Sequence, residues 1–148
     1  MTRRIVPDVI NNQTLVWVSP TETARNAAKL MRERKVAAVL VMEAERLIGI
    51  ITERDMTSRV VAADRNPDTT KCREIMTANP DTLSPSDTAS DAIGMMRSRN
   101  YRHLPVVDGT NVVGMVSVRD LYAVYNGELQ QDLRDRDAFI YGENYGTA

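Results

Sequence analysis

Apolar residues fall into short runs along this chain, and the spacing within each run separates strands from helices. Two uninterrupted runs, at residues 36–42 and 47–51, are typical of strands buried on both faces of a sheet. Before them, apolar positions recur at helical spacing over residues 24–31, behind Thr21 or Thr23 as the capping residue. The predicted elements of the first half are strands at residues 15–18, 36–42 and 47–51, a helix from Ala24 to Lys35, and a helix that starts at Thr52.

The same order of patterns returns in the second half of the chain. Small and apolar residues from Ala89 to Met96 again recur at helical spacing, and two apolar runs follow them. Asn126 and Gly127 then predict the end of the last of these helices, because glycine favours a helix C-terminus. The predicted elements are strands at residues 82–83, 103–107 and 112–116, a helix from Ala89, and a helix after Ser117 that stops near Gly127.

The two halves are copies of one unit. Residues 19–56 align with residues 84–121 without a gap, and roughly a third of the pairs are identical, against about 5–10% expected from composition. The pattern predicts an α/β fold in which two β-α-β-β-α repeats pack on each other around a pseudo-twofold axis. The predicted bounds are repeat 1 at residues 5–63, a linker at 64–71, repeat 2 at 72–126, and a C-terminal helix and loose tail at 127–148.

The most informative part of each repeat is a strand that runs directly into a helix start, at residues 47–55 and again at 112–120. Ser/Thr-x-x-Asp is an ordinary capping box for a helix N-terminus, so each aspartate has a structural explanation. The carboxylate can also accept two vicinal hydroxyl groups, which is a second explanation. The matched pairs are Gly49 with Gly114, Thr52 with Ser117, Arg54 with Arg119, and Asp55 with Asp120.

The second copy carries a recognisable pattern: Ser-Pro-x-x-Thr-Ala, Met-Arg, Leu-Pro-Val-Val-Asp and Val-Gly-Met-Val-Ser-x-Arg-Asp-Leu. It resembles the cystathionine-β-synthase (CBS) domain, and the chain resembles a stand-alone tandem pair, the Bateman module, over about residues 1–125. The first copy departs at residues 36–42, which contain no proline and no basic residue. The resemblance implies a cleft between the copies, frequent homodimers and the sensing of adenosyl ligands, whose occupancy is passed to a partner protein.

The candidate site residues suit such a ligand. A carboxylate can accept both ribose hydroxyls, and arginine offers forked donors to phosphate oxygens. We expect the copy that contains Asp120, supported by Arg102 and His103, to be the stronger site. The ligand class comprises AMP, ADP, ATP, S-adenosylmethionine and NAD. The candidate ligand-binding residues are Asp120, Arg119, Ser117, Arg102, His103, Thr82, Asp55, Arg54, Thr52 and Ala38.

Charge and composition narrow the function classes. The formal net charge of −1 and the scarcity of Phe and Trp disfavour a nucleic-acid-binding protein. No apolar stretch is long enough to span a membrane, and the start has no signal-peptide core, so we expect a cytoplasmic protein. The single cysteine, Cys72, excludes an internal disulfide and suits a reducing compartment.

Catalysis is not expected. The sequence offers no nucleophile–base pair, no cluster at metal-ligand spacing and no phosphate loop, so we predict neither enzyme activity nor a required cofactor. The adenosine nucleotide would act as a regulatory ligand of a homodimer whose regulated partner is unidentified. The alternative is a protein-interaction or structural dimer module without a small-molecule ligand, and a nucleic-acid-binding regulator is a more distant one.

Overall fold

The computed structural model describes residues 3–141, with the side chains of residues 3–127, 129–131, 133 and 134. The predicted loose tail from residue 142 onward lies outside the described residues. A π-helical turn at Met56–Val61 and a tight turn at Ile5–Val9, which contains the extended residue Val6, accompany the regular elements. The helices are α1 (Ala24–Arg34), α2 (Glu53–Asp55), α3 (Cys72–Ile75), α4 (Ala89–Arg99) and α5 (Val118–Tyr141), and the strands are β1 (Trp17–Val18), β2 (Ala38–Glu43), β3 (Arg46–Thr52), β4 (Thr77–Ala78), β5 (His103–Asp108) and β6 (Asn111–Ser117).

The strands form two sheets, which confirms the predicted mixed α/β class. One sheet has the order β1-β2-β3-β4, with β1 parallel to β2 and the other pairs antiparallel. The other is the antiparallel pair of β5 and β6. The two hairpins have matching registers, since Ala38 faces Thr52 in one and His103 faces Ser117 in the other. The duplicated sequence therefore folds into duplicated hairpins.

The predicted strand at residues 82–83 is reduced to a single parallel bridge between Leu83 and Val106. The reason is a proline. In the first hairpin the Leu40 N–H donates to the Val16 carbonyl at 3.0 Å, which extends the pairing of β1 with β2. Pro105 occupies the position that corresponds to Leu40 and has no N–H to donate. The second copy therefore keeps a bridge where the first has a short strand.

The helices that follow begin and end alike in both copies. Thr23 caps α1 by accepting from the Asn26 N–H at 3.2 Å, which settles the choice between the two threonines near that helix start. Thr88 caps α4 and accepts from the Asp91 N–H at 3.1 Å. Each helix ends at a residue in the left-handed region, Lys35 or Asn100. The matched turns direct β2 and β5 into equivalent positions.

Each repeat packs the leading segment of the other repeat into its core. Ile5 and Ile10, which precede the first repeat's strands, are buried with the residues of the second repeat. Cys72 and Ile75 of α3, which precede the second repeat's strands, are buried with the residues of the first. The bounds at residues 5–63 and 72–126 stay a prediction about sequence units, because each core combines residues from both.

Two glycines make this exchange possible. A Cβ atom on Gly114 would lie 2.6 Å from Cδ1 of Ile10, inside any normal contact distance. A Cβ atom on the matching Gly49 would collide with the Met76 side chain. Both neighbours belong to the exchanged leading segments. The glycines of the repeated strand are therefore explained by close packing, since the backbone must approach without a side chain.

Helix α5 is longer than predicted. The expected end near Gly127 is wrong, because the helix continues to Tyr141. A glycine inside a helix costs only about 1 kcal/mol relative to alanine, and helix formers such as Leu129, Gln130 and Gln131 follow it. No helix within residues 3–141 has both the length and the apolar character needed to cross a membrane.

Substitution of the two packed glycines tests the exchange. We expect Gly49→Ala and Gly114→Ala each to lower the free energy of unfolding by about 1–3 kcal/mol, as overpacking does. Urea denaturation measures the effect. Gly94→Ala is the control: nothing lies near a Cβ atom at this position in α4, so we expect a gain of about 0.5–1 kcal/mol. Equal stability of all three variants would contradict the packing role.

Candidate functional site

Two clefts related by the internal repeat lie between the halves of the chain. The Asp120 cleft, of about 480 Å³, is lined by residues 13–16, 35–38 and 40, together with His103 and residues from β6 and the start of α5. The Asp55 cleft, of about 490 Å³, is lined by Thr77 and residues 79–81 and 100–104, together with residues from 50–55 and Ala37. Each cleft therefore combines a strand-to-helix turn from one repeat with a helix-to-strand turn from the other.

The two strand-to-helix turns are built by reciprocal hydrogen bonds. The Ser117 N–H donates to Oδ2 of Asp120 at 2.8 Å, and the Asp120 N–H donates to Oγ of Ser117 at 3.2 Å. The Thr52 N–H donates to Oδ2 of Asp55 at 2.8 Å, and the Asp55 N–H donates to Oγ1 of Thr52 at 3.3 Å. The capping-box explanation therefore holds in both copies, and it uses one oxygen of each carboxylate.

The second carboxylate oxygen distinguishes the copies. Oδ1 of Asp55 lies 3.6 Å from Nε of Arg59, in an ion pair one helical turn apart. Oδ1 of Asp120 has no hydrogen-bond or ion-pair partner among the side chains that the structure describes. Asp120 is therefore able to accept hydrogen bonds from a molecule in its cleft without losing its own cap.

A backbone hydrogen bond anchors each turn to the neighbouring strand. The Val118 N–H at the start of α5 donates to the Arg102 carbonyl at 2.9 Å. The matching Glu53 N–H donates to the Ala37 carbonyl at 3.0 Å. These bonds fix the first turn of each helix relative to the start of β5 or β2. The aspartates are thus held in a rigid position at the wall of each cleft.

The predicted site residues separate into two groups, with two exceptions, His103 and Thr82. Contrary to the expected support of Asp120 by Arg102, the arginine lines the Asp55 cleft, because each cleft draws its helix-to-strand turn from the opposite repeat. His103 lines both clefts. Thr82 is exposed and lines neither of them. The Asp120 cleft contains Asp120, Arg119, Ser117, Ala38 and His103, and the Asp55 cleft contains Asp55, Arg54, Thr52, Arg102 and His103.

Sequence reasoning missed several polar residues of the Asp120 cleft, of which Lys35 and Gln13 matter most for its chemistry. Lys35 lies at its rim in the left-handed conformation, φ 55°, that ends α1. Gln13 accepts through Oε1 from the Met115 N–H at 2.6 Å and takes the place of the backbone pairing between Gly49 and Ala78 in the first sheet. A lysine at a helix C-terminus directly before a strand was a usable signal for the first. Nothing in the sequence pattern singles out the second.

The lining residues give the clefts different electrostatic characters. In the Asp120 cleft, Lys35 and Arg119 oppose one carboxylate, which leaves one positive charge in excess. In the Asp55 cleft, two arginines oppose three carboxylates of the lining, but two of those carboxylates are also paired with arginines outside it, Asp55 with Arg59 and Asp81 with Arg99. The additional carboxylate of Asp81 accepts from the Tyr101 hydroxyl at 2.9 Å and from Nη1 of Arg99 at 3.0 Å. The positive excess in the lining of the Asp120 cleft suits an anionic ligand.

His103 lies in the wall that the two clefts share. Burial lowers its pKa below the ordinary value, an effect larger than the opposing attraction of Asp120 and Glu53, and Arg102 lowers it further. The neutral imidazole is therefore favoured at neutral pH, and it offers a hydrogen bond to a ligand in either cleft. It becomes cationic more readily when an anion is placed beside it.

Neither a metal site nor a reactive thiol is found among the described residues. No group of three or more His, Cys, Asp or Glu side chains within residues 3–141 is placed to hold a metal ion. Cys72 is buried, and its Sγ donates weakly to the Thr23 carbonyl at 3.7 Å. Burial, with a smaller contribution from Glu22, raises the pKa of this thiol to about 11. Cys72 is thus a packed thiol of the first core.

Comparison with known proteins agrees with this architecture. A family model described as CBS domain matches residues 3–62 and 72–127. A mitochondrial CBS domain-containing protein of Arabidopsis thaliana is 31% identical over 132 residues, which cover 86% of this chain and 64% of the relative. This chain thus spans less than two thirds of that relative's length.

Solved structures show the same fold. A CBS domain protein from Burkholderia ambifaria has a TM-score of 0.76 and 33% identity, covering 79% of this chain and 86% of its own. A CBS domain protein from Pyrobaculum aerophilum, described as complexed with AMP, has a TM-score of 0.73 and 25% identity, covering 83% and 96%. The match of both repeats and of the whole pair confirms the tandem arrangement inferred from the internal repeat.

The pKa of His103 is directly measurable, because the chain contains one histidine. We expect the imidazole signal in an NMR titration to have its midpoint below about 6.5, the value of an unperturbed histidine. The unfolded chain then binds the proton first as the pH falls, so stability is lost on acidification below that value and is unaffected by this group above it. His103→Asn should lack this part of the loss. A midpoint above the unperturbed value would contradict the burial effect.

Proposed function

The chain belongs to the CBS domain family, and on that premise we propose that it is a regulatory module that binds an adenosine nucleotide in the Asp120 cleft. The observation that carries the proposal is the carboxylate of Asp120. One of its oxygens completes the cap of α5, and the other has no hydrogen-bond or ion-pair partner among the described side chains. A pair of vicinal ribose hydroxyls is a suitable donor for that oxygen.

The rest of the cleft suits the other parts of a nucleotide. Leu15, Val36 and neighbouring alanines offer an apolar slot of the kind that holds a purine ring. Lys35 and Arg119 lie in the same cleft and supply positive charge for a phosphate group. The AMP complex of the Pyrobaculum aerophilum protein supports this ligand class. The candidate ligands are AMP, ADP, ATP, S-adenosylmethionine and NAD.

Helix α5 offers a route from the cleft to a partner. Asp120 lies in the first turn of this helix, which continues as one element to Tyr141. A ligand that binds Asp120 therefore contacts the first turn of a long helix rather than a loop. In the regulatory module that we propose, the position of α5 reports whether the cleft is occupied, and a separate protein responds to it without any reaction catalysed by this chain.

An exposed apolar stripe on α5 favours a homodimer as a second part of the function. Tyr122, Tyr125, Leu129 and Leu133 are each 49–62% exposed. Their spacing of three or four residues places them along one face of the helix, as in the seam between paired helices. Since a second copy of the chain offers the same stripe, two α5 helices can cover each other.

Substitution of Asp120 tests the ligand site. Asp120→Asn retains an oxygen for the Ser117 N–H but removes the charge, so we expect AMP to bind about 10- to 100-fold more weakly, because a charge-assisted hydrogen bond contributes about 1.5–3 kcal/mol. Isothermal titration calorimetry measures the change. Asp108→Asn, at the exposed end of β5, is the control. Failure of all five candidate ligands to bind the wild type more tightly than the millimolar range would overturn the proposal.

The introduction of charged residues on the apolar stripe tests the homodimer. We expect the wild type to elute as a dimer and Leu129→Glu with Leu133→Glu to elute as a monomer, because two like charges replace the apolar contact. Size-exclusion chromatography with light scattering distinguishes the two states. Gln130→Glu adds a charge at an exposed position beside the stripe and should leave the dimer intact. A monomeric wild type, or a double variant that stays dimeric, contradicts the role of α5.

A further inference from the structure

Arg59 joins the Asp55 turn to the exchanged leading segment of the second repeat. Its Nη1 donates to the carbonyl oxygens of Ile75 at 3.1 Å and Met76 at 3.0 Å. Its Nε lies 3.6 Å from Oδ1 of Asp55. One guanidinium thus bridges the carboxylate at the cleft wall and the two carbonyls at the end of α3.

This bridge occupies the part of Asp55 that a ligand would need. Oδ2 already accepts from the N–H and the hydroxyl of Thr52, at 2.8 and 3.2 Å, and Oδ1 faces Arg59. The Asp55 side chain is only 13% exposed. A ribose that approached Oδ1 would compete with the guanidinium for this oxygen, and any displacement of Arg59 would also disturb its two contacts to the carbonyls at the end of α3. Asp55 therefore has a structural duty that competes with ligand binding.

The second copy has no such bridge. The residue that matches Arg59, 65 positions later, is Val124, which carries no donor. Oδ1 of Asp120 accordingly has no hydrogen-bond or ion-pair partner within the described part of the chain. The two aspartates have the same cap and the same place on their helices, so the difference between them comes from one residue in the following turn.

The lining of the Asp55 cleft also opposes a phosphate. Asp81 stands at the position that corresponds to Val16 of the Asp120 cleft, and it brings a carboxylate where the other cleft is apolar. Glu53 adds a further carboxylate at the place of Val118. Arg54 and Arg102 offset two of the three carboxylates of the lining, and Arg99 pairs with Asp81 from outside it, so the extra carboxylates weaken an anion site here rather than exclude it.

We propose that Arg59 is a positioning residue that converts the Asp55 cleft into a structural joint and confines the nucleotide to the Asp120 cleft. This inference rests on the proposed function, because it assumes that the Asp120 cleft takes an adenosine nucleotide. It gives the stoichiometry of one nucleotide per chain. It also assigns the Asp55 turn a mechanical role, that of fastening the first repeat to the segment that leads into the second.

The test is the number of AMP molecules bound per chain, measured by calorimetry. We expect one for the wild type and two for Arg59→Val, which copies the residue at position 124, with the added site about tenfold weaker or more because of its carboxylates. Arg59→Val combined with Asp55→Asn should return to one. The matched control is Arg65→Val, which removes an ion pair to Glu74 of α3 and lines neither cleft; it should bind one.

Each outcome is decisive. A wild type that binds none of the five candidate ligands overturns the proposed function, and the role of Arg59 with it; if another of the five binds and AMP does not, that ligand replaces AMP in the count. A wild type that binds two AMP molecules leaves the proposed function standing and overturns the role of Arg59, as does an Arg59→Val variant that folds and still binds one. Should that variant fail to fold, a crystal structure of the wild type grown with AMP decides, because AMP in the Asp55 cleft contradicts the inference and AMP in the Asp120 cleft alone supports it.

Discussion

Each core of this protein is completed by a segment that precedes the other repeat, and that exchange requires a backbone without side chains at two points. Gly114 accommodates Ile10 of the first leading segment, and Gly49 accommodates Met76 of the second. Because buried apolar side chains from each leading segment enter the opposite core, neither half has a complete core of its own. The close contact at the two glycines therefore determines how the halves are placed relative to each other.

The clefts are a consequence of that placement. A strand-to-helix turn of one repeat meets a helix-to-strand turn of the other, so Asp120 lies opposite Lys35, while Asp55 lies opposite Arg102. The backbone turns that line the two clefts therefore match. The charged side chains on those turns differ, because the two repeats have different residues at matched positions. His103 lies in the wall that the clefts share, where burial lowers its pKa and so favours the neutral imidazole. A charge placed in either cleft would shift that pKa.

Both repeats keep the same capped strand-to-helix turn, but the surroundings of the aspartate in that turn differ between them. Both aspartates cap their helices, which gives each a structural reason to be present. The two aspartates differ in what the next helical turn brings to them. Arg59 pairs with Oδ1 of Asp55, whereas Val124, at the matching position, has no side-chain donor for Oδ1 of Asp120. A capping role and a binding role are therefore compatible in one carboxylate, because each oxygen can serve a different partner.

The sequence by itself determined the repeat, the hairpins, the helix starts and the two aspartates, because these depend on local periodicity and capping. It did not reveal that Arg102 belongs with Asp55, that Gln13 takes over a strand's hydrogen bond, or that α5 continues through Gly127. Those features depend on contacts between residues far apart in the chain, or on a balance between one glycine and a whole helix. The pairing of Arg59 with Asp55 is local, because the two residues lie one helical turn apart, and Val124 at the matching position is visible in the sequence. Only the tertiary structure decided that Arg59 is also held by the carbonyls of Ile75 and Met76, because these lie 16 and 17 residues further along the chain.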